Sequence, residues 1–340
     1  MKAFQVNAPH DFKVAEVEVP TPAAGEVLVR VAFAGICGSD MHIIHGDNAF
    51  VRFPRITGHE FSGVVEALGE GVPDVSVGDR VCVDPVISCG TCYPCRINRP
   101  NVCSALEVIG VHRNGGFEEF VSVPAANVHQ VPEHISLDAA ALVEPYTIAA
   151  NVLDRMQPHR GDRLLILGAG MIGMTILQMA RAMGIDEIIV TDVIDERLAA
   201  AKELGATHVL NSRTQDVEKE ILALTEGEGV PLIADAACVP ALLPQMLRLA
   251  SPAGRIGLLG FSVQPSDLIQ LEVIKKELTL VGSRLNNRKF PEVLALMASG
   301  KLDPLALVSH RLPLSEMPDA IDMLDHRPEE ARKVLIQISA

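Results

Sequence analysis

An apolar run, Leu164 to Leu167, ends in Gly168-Ala169-Gly170-Met171-Ile172-Gly173, and a helical pattern follows. Few features limit a fold more tightly than a strand, a tight turn and a helix with G-x-G-x-x-G at the turn. Glycine is needed where the backbone bends, where it approaches a pyrophosphate and where the helix packs on the strand. The helix N-terminus then offers unpaired N–H groups and partial positive charge to phosphate. Glycines in this spacing also mark ordinary turns, so the context decides. A second apolar run, Ile188 to Thr191, ends in Asp192, where a carboxylate reaches the ribose hydroxyls of a bound dinucleotide. Strands are expected at Arg163–Leu167, Glu187–Thr191, His208–Leu210, Pro231–Asp235, Arg255–Leu259 and Leu278–Val281, with helical stretches at Asp195–Leu204 and Ala241–Leu249. Such alternation implies an α/β fold with right-handed crossovers, a doubly wound parallel sheet of Rossmann type.

The N-terminal part reads differently. Residues 12 to 34 alternate apolar and polar with period two, and further strands are expected at Phe61–Leu68 and Arg80–Val83, separated by turn-forming residues. This predicts a β-rich, barrel-like first domain. At 340 residues, 48% of them hydrophobic, the chain is long enough for two full cores. A formal charge of −14 argues against nucleic acid or an anionic membrane as partner, since both require a basic face. The stretch Leu164–Ala180 is too short and glycine-broken to span a bilayer. The first residues lack the apolar run of a secretory leader, and the expected compartment is the cytoplasm.

Seven cysteines do not pair evenly, and four of them cluster as C-x2-C-x2-C-x7-C at Cys89, Cys92, Cys95 and Cys103. Short spacing lets one loop wrap four thiolates around an ion, which closes a tetrahedral shell and makes the site structural. An iron–sulfur cluster or four free thiols are the rival readings. Elsewhere Cys37, Thr57-Gly58-His59-Glu60 and Val143-Glu144-Pro145 offer sulfur, nitrogen and oxygen donors, a set that suits a catalytic zinc with an open position. Cys82 and Cys238 have no partner in the pattern and are expected as small buried hydrophobes.

C-G-S-D-x-H, G-H-E, the four-Cys lobe, E-P and G-A-G-x-I-G occur in this order, and the chain resembles the zinc-dependent medium-chain alcohol dehydrogenases over essentially its whole length. The resemblance implies a GroES-like catalytic domain at 1–150, a Rossmann NAD-binding domain at 151–284 and a C-terminal return to the catalytic domain at 285–340. It further implies two zinc ions per subunit. The catalytic ion would use Cys37 and His59, with Glu60 and Glu144 binding directly or through water, and the structural ion the four lobe cysteines. NAD would lie against Gly168, Gly170, Met171, Ile172, Gly173, Asp192, Arg197, Ser283 and Arg284. Asp192 would repel a 2′-phosphate and so select NAD over NADP. Ser39 and His42 match positions that carry the proton out, and His112, Glu144, Arg284 and Asn286 are the substrate-binding candidates.

Glu144 in place of a cysteine is similar to the polyol and sugar-acid branch. V-I-G-V-H (108 to 112), E-P-Y-T-I-A-A-N-V (144 to 152) and G-S-R-L-N (282 to 286) most resemble the starvation-sensing dehydrogenases and the L-gulonate and L-galactonate 5-dehydrogenases. The implied reaction is NAD-linked oxidation of a secondary hydroxyl on a linear sugar acid. Arg284, with Arg52, Arg55 and Arg113 behind it, is available to hold the carboxylate. Polyol or L-threonine oxidation is the alternative, and a regulatory protein on the same fold is the alternative from another class. Relatives form dimers and tetramers, so the expected partners are a small-molecule substrate and copies of the same chain.

Overall fold

The computed structural model describes residues 1–327 and 329–339. The chain divides into two compact units, Met1–Thr147 with Asn286–Ala340, and Ile148–Leu285.

In the second unit six strands lie in the order His208–Asn211, Ile188–Asp192, Leu164–Leu167, Val230–Asp235, Ala250–Leu258, Thr279–Gly282. Every neighbouring pair is parallel. Counted along the chain the order is 3-2-1-4-5-6, so the winding reverses at Leu164–Leu167, the crevice where such sheets bind ligands. That central strand is apolar and buried at every position, as a parallel strand covered on both faces requires. Leu165, Ile189, Ile233 and Ile256 share one fully buried cluster, each contributing about 1.5–3 kcal/mol. One strand begins at Ala250 rather than near Arg255. Ser251-Pro252-Ala253-Gly254 reads as a turn, but the pairing to the neighbouring strand starts at Val230↔Ala250 and resumes after a register shift, with Ala253 at φ 59°.

In the first unit the main sheet runs Val128–Gln130, Arg80–Val83, Glu60–Leu68, Glu26–Gly35, Lys333–Gln337, Val308–Pro313, and Phe120–Pro124 also pairs with Glu26–Gly35. Its inward side packs with Phe4, Phe61 and Phe117 in a core to which both ends of the chain contribute. One detail of register positions the site. Gly35, the last residue of its strand, pairs with Glu60 on one side and Leu335 on the other. The chain leaving Gly35 passes through Ile36 and Cys37 into a helix, Gly38–His45. Cys37, Glu60 and Lys333 are thereby delivered to one sheet end. Among the described residues no helix is long and apolar enough to cross a membrane.

Candidate metal centre and nucleotide turn

The ligand atoms of Cys37, His59 and Glu60 lie within 4.8 Å of one another, a geometry able to hold a metal ion. Asp40 organises the group. Its buried carboxylate accepts from the Cys37 N–H at 2.9 Å and the Gly58 N–H at 3.1 Å, and one oxygen sits 3.6 Å from His59 Nδ1. Burial by itself would lower the His59 pKa, but the negative charges of Asp40 and then Cys37 outweigh it and raise the imidazole well above its ordinary value. Ser39 Oγ lies 3.4 Å from His59 Nε2. His42 is 68% exposed on the same helix, 4.0 Å from Asp47.

Glu60 is 1% exposed and ion-paired with Lys333, itself 2% exposed, whose ammonium also donates to the Ile36 carbonyl at 2.8 Å. A Cβ on Gly35 would collide with this pair, so glycine is required where the three strands meet. Sequence reasoning missed Lys333. The one signal was a lysine opening the strand K-V-L-I-Q, whose next three residues are apolar. Asp40 lies within C-G-S-D-x-H, where its type alone does not show that it organises the ligands. Glu144, 4% exposed, falls outside the tight three-ligand group, yet His59, Glu60 and Lys333 are its electrostatic neighbours. Burial pushes its carboxyl up to about 8, the His59 charge opposing and the Glu60 charge adding. A dication placed between these groups would reverse that shift, so the donor set fits a metal better than it fits none.

The sulfurs of Cys89, Cys92, Cys95 and Cys103 also lie within 4.8 Å of one another. Backbone N–H groups point at them: Cys92 and Cys89 donate to Cys89 and Cys103 sulfurs at 3.4 and 3.3 Å, Ser104 to Cys92 at 3.5 Å, Ala105 to Cys103 at 3.3 Å. Donors of this kind favour thiolate. Those of Thr91 and Cys92 lower Cys89 to about 6, whereas burial and the neighbouring sulfurs push Cys95 up to about 11. Four sulfurs with amide donors around them suit a tetrahedral ion.

In the second unit Gly168 takes φ 95°, and a Cβ on Gly173 would strike the Gly168 carbonyl. The helix Met171–Ala182 starts directly after Gly170, with half-buried Met171 and Ile172 in its first turn. Asp192 accepts three backbone N–H groups, from Ala169 at 2.7 Å, Val193 at 2.7 Å and Ile194 at 3.0 Å. It therefore ties the glycine turn to its own loop, and of about four lone-pair directions it keeps about one for a ribose. Arg197 is half-buried in the helix Asp195–Glu203. Ser283 accepts from the Asn151 amide at 3.0 Å, and the Arg284 guanidinium lies 5.7 Å from the Phe261 ring centre.

The remaining candidates are placed as follows. Asn286, 1% exposed, donates to Asp84 at 3.0 Å, and His112 Nδ1 accepts from the Val108 N–H at 3.0 Å. Arg113 donates to Glu26 at 2.6 Å and Arg55 to Asn114 at 3.1 Å, while Arg52 is exposed. His112, Arg113 and Arg55 line one cavity to which none of Cys37, His59, Glu60 or Glu144 contributes. Cys82 is buried as expected, but Cys238 is exposed. Its backbone is bent to φ 56° and its N–H held by Asp235 at 2.9 Å, which turns it out of the core.

Residues 23–133 match the alcohol dehydrogenase GroES-like domain and residues 172–299 the zinc-binding dehydrogenase domain. The starvation-sensing protein RspB of Escherichia coli K12 is 46% identical over 340 residues, covering all of both chains. The chain belongs to the zinc-binding alcohol dehydrogenase family. Sorbitol dehydrogenase of Bacillus subtilis is 32% identical, over 99% of this chain and 97% of that one. A crystal structure of the rspB protein from E. coli CFT073, a complex with NADH, superposes with a TM-score of 0.95 at 46% identity over 99% of each chain. The α/β architecture and the zinc-type dehydrogenase family are thus shown together, and an oxidoreductase is the class of activity they support.

Proposed function

We propose that this chain oxidises a secondary hydroxyl of a linear sugar acid, of the L-gulonate or L-galactonate type, with NAD as hydride acceptor. Zinc would be held by Cys37 and His59, with Glu60 and Glu144 completing the site, and a second, structural zinc by Cys89, Cys92, Cys95 and Cys103. The observation that carries this is the sulfur, nitrogen and oxygen donor set gathered within 4.8 Å, Cys37 half-buried and His59 and Glu60 buried, with His59 Nδ1 making no hydrogen bond among the described residues. When bound, zinc supplies Lewis acidity that favours loss of the hydroxyl proton, and NAD takes the hydride. The protein's own groups do the rest. Asp40 fixes Cys37 and Gly58 and thereby the His59 ring. Lys333 balances Glu60. Ser39, beside His59, takes the released proton, and exposed His42 hands it to solvent. Asp192 disfavours a 2′-phosphate beside the glycine turn.

The sugar-acid assignment rests on Glu144 and on resemblance. The NADH complex of a 46% identical protein supports the cofactor, and the 32% identity to a sorbitol dehydrogenase favours a neutral polyol as the second reading. A screen of hexonates, pentonates, polyols and L-threonine with NAD, followed at the NADH absorbance band, separates these. An aldonate should show the highest kcat/KM. If sorbitol or threonine exceeds every aldonate, the substrate assignment fails and the dehydrogenase reading stands. If none of them reduces NAD, a regulatory role on this fold is the better account.

A further inference from the structure

A cavity of about 500 Å³ opens in the first unit, walled by residues of the N-terminal strands, by Pro54, Arg55 and Ile56, and by residues between His112 and Ser122. Neither the Cys37 group nor the four-Cys lobe contributes to it. Its volume suits a small organic molecule, not a bare ion. Two carboxyl groups in its wall stand alone. Glu118 is 2% exposed and Glu18 is exposed, and among the described residues neither side chain makes a hydrogen bond or an ion pair.

Among the described residues, none of the cations facing the same space pairs with Glu118 or Glu18. Arg113 is paired with Glu26 at 2.6 Å, while Arg55 donates to two neutral acceptors, Asn114 at 3.1 Å and the Arg52 carbonyl at 3.3 Å, and its buried Nε makes no hydrogen bond among the described residues. The Met1 amine donates to the Val17 carbonyl at 2.8 Å and lies 3.3 Å from Glu16. His112 is engaged through Nδ1 by the Val108 N–H. A buried carboxyl with no donor is costly, because nothing replaces the water it lost. Burial, opposed by no neighbour, accordingly pushes Glu118 up to about 8. Such a group is stabilised by any cation that enters. Val17, Pro20, Pro54, Ile56 and Val121 supply apolar wall to the same cavity.

We propose that this cavity binds a small aliphatic diamine, one ammonium against Glu118, the other at Glu18, and the methylenes along the apolar wall. The test is calorimetric titration of the holoenzyme with 1,4-diaminobutane, butylamine and 1,4-butanediol, on the natural chain, Glu118→Gln and Glu18→Gln. Saturable binding of the diamine, one molecule per chain, is expected, weakened about tenfold or more by Glu118→Gln, as for a lost charge-assisted hydrogen bond. Glu18→Gln should weaken the diamine and leave butylamine unchanged, and the diol should not bind. Dehydrogenase activity should survive both substitutions, which keeps a folding defect distinguishable. No saturable diamine binding, equal affinity in Glu118→Gln, or a diol that binds as tightly as the diamine overturns the proposal.

Discussion

The four lobe cysteines come from one short stretch, lie partly at the surface and are ringed by backbone N–H groups, whereas half-buried Cys37 follows one strand and buried His59 and Glu60 open its neighbour. In the lobe the local backbone stabilises the negative charge. At the interior set side chains balance the charges instead, Asp40 facing the imidazole of His59 and Lys333 pairing with the Glu60 carboxylate. Each site's properties therefore reside in different parts of the chain. A loop that wraps its ion with four sulfurs leaves no position for a reacting group, and its contribution is to folding. A set assembled by the sheet keeps mixed donors and a position for chemistry.

The largest effect should come from His59→Ala. Turnover should fall by roughly a thousandfold or more, on the scale of losing transition-state charge stabilisation, while zinc analysis still finds the lobe ion. Cys95→Ser should do the opposite. It should remove the lobe ion and lower the thermal midpoint by about ten degrees, with activity per folded chain largely kept. A variant that loses both metals together would break the contrast.

A smaller change sharpens it. Lys333→Met leaves Glu60 as an unpaired buried charge, and the metal-free protein should lose about 3 kcal/mol of stability in denaturant unfolding. Zinc supplied to the buried set should restore most of that loss. The same substitution should leave zinc in the lobe untouched.

The smallest effect is one of pH. Cys89 is lowered to about 6, so the lobe offers a thiolate slightly below neutrality. His59 is raised well above its ordinary value, so it holds a proton that a metal must displace, and zinc uptake there should tighten as pH rises. Apo-protein given one equivalent of zinc at about pH 6 should fill the lobe and regain stability without activity. Raising the pH should then let a second equivalent restore turnover.

Legibility in the sequence followed the range of the interactions. Leu164–Leu167 and Gly168 to Gly173 announce strand, turn and helix because the constraint is local, and the six parallel strands fall within a few residues of expectation except at Ala250. There the pairing with Val230 outweighs the turn chemistry of Ser251-Pro252-Ala253-Gly254. The lobe was equally plain, since its four donors share one loop. Lys333 was not, because its partner Glu60 is far off in sequence and only the register of three strands at Gly35 joins them. Cys238 was misjudged because a positive φ and an Asp235 hydrogen bond, neither visible in residue type, turn it outward. Residue type alone also does not show that Arg55, Arg113 and His112 share the wall of one cavity, because they come from distant stretches that only the fold brings together.

The measurement that bears most directly on the contrast is zinc content and NAD-linked activity followed together during exposure to a chelator. Two zinc ions per chain should leave in two phases, with all activity lost in the first phase and the thermal midpoint falling in the second. Activity that persists until the second ion departs, or a lobe that yields iron and acid-labile sulfide, would contradict the account.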